Sequence, residues 1–173
     1  MKLVLAAAAA LFLSAGASAQ ELWQGVSVGD TLDEVRSVFP DAVRPDPPVN
    51  YDGSDVDLML DQHQIAEFTF DVYFMSVDDR VEKVRLLMSL DATGETPREF
   101  TYRNIMRVLS ERYGAPFHAM PVPMEGRDFI QRLTNEFRND DLRVEVNCIF
   151  CLSQNAILHV TYSAVESRRS QGF

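Results

Sequence analysis

Cys148 and Cys151, three positions apart, come nearest in type and spacing to a recognisable chemistry. A C-x-x-C pair does redox work when its thiolate is favoured by a helix N-terminus or neighbouring cations. Here Ile149 and Phe150 separate the thiols, and the pair closes a strand-like run beside a turn, with no helix following. Strand alternation places Cys148 inside and Cys151 outside, so joining them requires the strand to break or bulge near Phe150. Three readings stand open: a structural disulfide, two unpaired small core residues, or a redox pair. A zinc site would need a second pair of ligands.

The segment 50–61 gathers Asp52, Asp55, Asp57 and Asp61. It lacks the ligand order of a calcium loop, which needs glycine at its sixth position and glutamate at its twelfth. It reads as a solvated loop, with ligand or calcium capture as an alternative. His63, His118 and His159 fall on separate elements, outside any H-E-x-x-H, and the chain carries no G-x-S-x-G or phosphate-cradling glycine loop. No catalytic residue, metal ligand or cofactor is assigned on these grounds.

A surface is the stronger candidate. Alternation along the strand-like segments sends Met59, Tyr73, Met75, Arg85, Leu87, Arg143 and His159 to the side away from the core, among charged residues. Tyr, Met and Arg are enriched at the centres of protein interfaces. Ordinary cross-strand pairing on a wet face is the plainer reading of the same residues.

The elements that must carry this face are legible from period and punctuation. Thr31 with Glu34 makes a capping box, and Leu32, Val35, Val38 and Phe39 form one helical stripe before Pro40 ends it. A proline-rich loop, 41–55, follows. Rows at 56–61, 66–74 and 83–88 alternate with period two and predict an antiparallel meander. The pattern then restarts. Thr96 and Glu99 form a second box, with Pro97 at the first helical position, and Tyr102, Ile105, Met106, Leu109 and Tyr113 form a stripe ending at Gly114. A loop with Pro121, Pro123 and Gly126 leads into apolar rows at 129–138, 142–150 and 156–162.

The expected class is therefore α+β: two α-β-β-β units, 25–90 and 96–163, sharing one antiparallel sheet of about six strands with both helices on one face. These units make a single domain over 20–165, with a polar tail at 166–173.

Lys2, an apolar run from Leu3 to Leu13 and the Ala17-Ser18-Ala19 signal mark 1–19 as a secretory signal peptide cleaved after Ala19. That run is too short to span a bilayer, and no transmembrane segment follows. No cysteine stands at the cleavage point for a lipid anchor. The expectation is a periplasmic or secreted protein. Its net charge of −10, or −11 once Lys2 is removed, disfavours nucleic acid and anionic membrane surfaces as partners.

Gly25, Gly29, Thr31, Glu34 and Val35 resemble the G-x-T-x-x-(D/E)-V helix start of small bacterial envelope proteins of the BamE (SmpA/OmlA) type. The repeated helix-and-strand order is similar to the tandem arrangement of β-lactamase-inhibitor-like proteins. The resemblance implies a fold used for protein–protein contact, so the first functional expectation is a non-enzymatic binding or accessory protein with an envelope protein as partner. A small periplasmic redox protein or enzyme using Cys148 and Cys151 is one alternative. Ligand or calcium binding by 50–61 is the other.

Overall fold

The computed structural model describes residues 20–51, 53–90, 98–123, 130–151 and 156–165. The expected signal peptide at 1–19, Asp52, the expected cap residue Thr96, the expected turn at 152–155 and the expected tail at 166–173 lie outside the described residues.

In chain order the elements are β1 (Glu21–Trp23), β2 (Val26–Ser27), α1 (Leu32–Val38), β3 (Asn50–Tyr51), β4 (Ser54–Asp55), β5 (Leu58–Ile65), β6 (Phe68–Val77) and β7 (Arg80–Leu90). They continue with α2 (Arg98–Tyr113), β8 (His118–Pro123), β9 (Ile130–Arg138), β10 (Leu142–Cys151) and β11 (Ala156–Ala164). α1 starts where Thr31 and Glu34 satisfy each other's amides. Glu34 N donates to Thr31 Oγ1 at 3.3 Å and Thr31 N donates to Glu34 Oε2 at 2.7 Å. Its buried residues are Leu32 and Val35, while Val38 stays 45% exposed, so the packed stripe is narrower than the sequence stripe.

The expected α+β class with six strands is overturned. Among the described residues the chain is mostly β, with two helices against one seven-stranded antiparallel sheet in the order β5-β6-β7-β11-β10-β9-β8, plus the two-stranded pairs β1-β2 and β3-β4. The additional strand of the main sheet is β8, which the sequence reading left in a loop because of Pro121 and Pro123. Proline removes a ladder donor and is tolerated at an edge, and β8 is an edge strand, paired on one side with β9. The opposite edge, β5, is covered at Met59 by reciprocal bonds with Val43 (3.0 and 2.7 Å) and broken by a bulge between Leu60 and His63. Both devices blunt edges that would otherwise recruit another strand.

The last strands of the two meanders, β7 and β11, pair with each other, Leu86 facing Val160. Registers on either side match at a constant offset of 74 residues. Val72 faces Leu86 as Val146 faces Val160. His63 faces Phe70 as Phe137 faces Val144.

One face carries the core. Leu58, Val72, Phe74, Val84, Leu86, Val144, Val146, Leu158 and Val160 join Leu32 and Val35 of α1, Ile105 and Leu109 of α2, and Trp23 in one buried cluster. Burial of that apolar area supplies the main driving force for the fold. Tyr102 of α2 docks to the sheet by accepting a 2.5 Å bond from Asn135 Nδ2. No described helix is long and apolar enough to cross a membrane.

Candidate functional site

Strand parity assigns Met59, Tyr73, Arg85, Thr161, Glu145 and Glu136 to one row across the second face, since each faces the next in register. Leu87 and His159 face each other one row away. Tyr73, Met75 and Arg85 are not wet, however: they are 6%, 2% and 8% exposed. This corrects the expectation of an open solvated face on that side of the sheet. Residues 49–51 and 53–57, expected as the end of a loop reaching 55 and the start of a strand row at 56, fold back over β6 and β7 and cover them. Val49, Tyr51 and Val56 pack on Tyr73, Met75, Met59 and Leu87 as a second, smaller apolar cluster.

The strap is held by directed bonds. Val56 N donates to Val49 O at 2.9 Å, closing it on itself, and Asp57 N donates to Phe74 O at 3.0 Å. Ser76 donates to Asp57 Oδ2 from both its N (3.0 Å) and its Oγ (2.6 Å). At the tip, Asn50 Nδ2 donates to Asp55 Oδ1 at 2.8 Å and Gly53 N to Asn50 Oδ1 at 3.1 Å. Gly53 sits at φ +81°, where a side chain would be strained. Asp55 and Asp57 are thus spent on local structure, and among the described residues no three His, Cys, Asp or Glu side chains are grouped to hold a metal.

Tyr51 is the centre of this side. Its ring lies 5.2 Å from that of Tyr73 and 6.4 Å, edge-on, from His159, and the Arg85 guanidinium stands over it at 5.4 Å. Burial, and secondarily a hydrogen bond with Tyr51, raises the Tyr73 hydroxyl pKa above its ordinary value. Arg85 Nε donates to Thr161 Oγ1 at 3.2 Å, tying the cluster to β11.

Six of the seven sequence-nominated residues therefore meet around Tyr51. Arg143 stands apart, in a polar array over β9 and β10. Its Nη2 reaches Glu145 Oε2 at 2.6 Å and Glu136 Oε2 at 3.2 Å, and Glu136 also pairs with Arg138. Asn147 donates to Glu145 at 2.5 Å and accepts from Thr134 at 2.7 Å. Sequence reading missed Val49, Tyr51 and Val56. The alternation Val49-x-Tyr51 was the available signal, masked by Pro45, Pro47 and Pro48 just before it.

The cysteine readings separate on geometry. Cys148 is a free, fully buried thiol in the main core, facing Leu133 and Leu158 in register. The β9–β10 register runs unbroken to Cys151, with no break or bulge near Phe150. Three strand steps separate the two Cα atoms by roughly 10 Å, beyond the ~7 Å reach of a disulfide. Burial pushes the Cys148 thiol up to about 12, opposite to a redox-active thiolate. His63 and His159 do not converge, and the side chain of His118 lies outside the described residues. His63 packs edge-on against Trp23 (5.6 Å) and Phe39 (5.8 Å), whereas His159 lies under Tyr51 on the other face.

No family model matches the chain, and no curated protein or solved structure matches it either.

Proposed function

We propose that the chain is an exported, non-catalytic binding protein that engages an envelope protein through the second face of its sheet. The observation that carries this reading is the part-exposed group Tyr51, Met59, Leu87 and His159, held over the buried Tyr73 and Arg85. It is an aromatic and apolar centre on the side of the sheet that the main core does not use. Such a centre, bordered by the Arg143–Glu136–Glu145–Asn147 array, has the composition of an interface core with a polar rim. The N-terminal charge and hydropathy pattern supports export.

The test is a crosslinking pull-down from the native envelope with the tagged chain and with Leu87→Arg plus His159→Ala. Both positions are half-buried at the edge of the cluster. Loss of a specific partner, with the melting temperature kept within a few degrees, supports the reading. A partner captured equally by both forms places the contact elsewhere and defeats it.

A further inference from the structure

Gln20 is the residue that a cut after Ala19 leaves at the N-terminus. Chain ends usually fray unless something ties them down. This one is tied. Gln20 is half-buried, and its carbonyl oxygen accepts from Val28 N at 2.9 Å, next to the Glu21–Ser27 pair of β1 and β2. One residue on, Glu21 Oε1 accepts from Gly25 N at 3.0 Å, and Leu22 and Trp23 then enter the main core.

Two features of this docked position are unfavourable. The side-chain Nε2 of Gln20 is buried and has no hydrogen-bond partner among the described residues. A buried donor left unpaired is costly and uncommon, and the packing of β1 gives no reason for it. Cleavage after Ala19 then places an α-ammonium charge on the same half-buried residue, where water only partly solvates it.

We propose that Gln20 is a modification site, at which the processed N-terminus closes on its own side chain to give a pyroglutamyl residue. The α-amine nitrogen attacks Cδ of the carboxamide. The N–Cδ bond forms, the Cδ–Nε2 bond breaks, and Nε2 leaves as ammonia carrying the proton that the amine gives up. No oxidant, cofactor or second substrate enters the balance. The amine must be unprotonated to attack, and an ordinary α-amine titrates at about pH 8, so a reactive fraction is present near neutrality. Both reacting groups belong to one residue, so no encounter is needed. The step expels the unpaired donor and removes the terminal charge together. The lactam also leaves an aminopeptidase no free amine at the start of β1.

This modification rests on the export and cleavage included in the proposed function, and not on the partner. Its test is intact-mass and fragment-ion spectrometry of the full chain purified from its native envelope, beside Gln20→Ser. The main species is expected to begin at residue 20 and to be lighter by one ammonia, with the loss on the first residue. Pyroglutamyl peptidase, applied to the denatured chain, is expected to remove that residue and expose the amine of Glu21. Gln20→Ser is expected to begin at the same position at full mass. A chain that begins at Gln20 with no loss of ammonia overturns the modification and leaves export standing. The same loss in Gln20→Ser places it on another residue and also overturns it. A chain that begins elsewhere, or retains 1–19, defeats the cleavage reading and the modification with it.

Discussion

The ring of Phe39 stands edge-on to His63 at 5.8 Å, and 74 positions along the chain Tyr113 packs on Phe137 at 6.5 Å. The same contact, between the end of a helix and the outer strand of a meander, is thus built twice with different chemistry. In the second copy Phe137 is wholly buried. In the first, His63 is half-buried and flanked by Trp23. The two positions should differ sharply in cost. Phe137→Ala is expected to destabilise the chain by about 3–5 kcal/mol, whereas His63→Phe, which keeps the ring, should leave stability within about 1 kcal/mol. Urea unfolding of both variants checks this.

The Cys148 thiol gives a prediction about reactivity and pH. In a Cys151→Ser background, Cys148 should resist an aromatic disulfide reagent in the native state and react fully in denaturant. The sign of the pH effect follows from the raised pKa. The unfolded thiol ionises near its ordinary 9.0, while the buried one stays protonated to about 12. Stability from this group is therefore whole below pH 9 and falls as the pH climbs toward 12. Chemical denaturation across that range, against Cys148→Ala, isolates the contribution. An equal slope in both forms would remove it.

Much of the sheet was legible because period-two alternation fixes which residues share a face. Alternation does not say what covers a face. Tyr73, Met75 and Arg85 were placed on the correct side and wrongly expected to be wet, because the strap over them follows three closely spaced prolines that mask its short Val49-x-Tyr51 alternation. β8 was lost for a related reason: Pro121 and Pro123 argue against a central strand, and only the finished sheet shows that the position is an edge. The repeat was visible with the wrong spacing. Its capping signals stand 65 residues apart, but the buried helix positions Val35 and Leu109 stand 74 apart, because the longer α2 extends at its N-terminal end.

At α1, the Thr31 cap starts a helix of only seven residues, which is held mainly by the packing of Leu32 and Val35 and helped by the cap. Thr31→Ala is expected to cost about 1 kcal/mol. The bond from Thr31 N to Glu34, followed by that from the Thr31 hydroxyl, lowers the Glu34 carboxyl pKa below its ordinary 4.5. The stability it contributes is present above that ordinary value and is lost as the pH falls through the lowered one. Glu34→Gln should therefore make the acid limb of the stability profile shallower. An acid limb identical to that of the parent would exclude this carboxylate as a contributor.

Tyr51 is the residue on which the second face depends, and it separates packing from hydrogen bonding. Tyr51→Ala removes the ring contact with Tyr73 and the surface over which Arg85 stands, and is expected to cost about 1–2 kcal/mol by the usual worth of aromatic and cation–π pairs. It also uncovers Tyr73. Since burial is the first cause of the raised Tyr73 pKa and the Tyr51 hydroxyl the next, Tyr51→Ala should bring Tyr73 down toward 10.0, and Tyr51→Phe should bring it down less. Ultraviolet titration of tyrosinate absorbance, with a Tyr73→Phe variant to identify the band, reads both changes. If the two variants lower Tyr73 equally, the hydroxyl rather than the cover controls it. If neither lowers it, the strap does not close over β6 and β7.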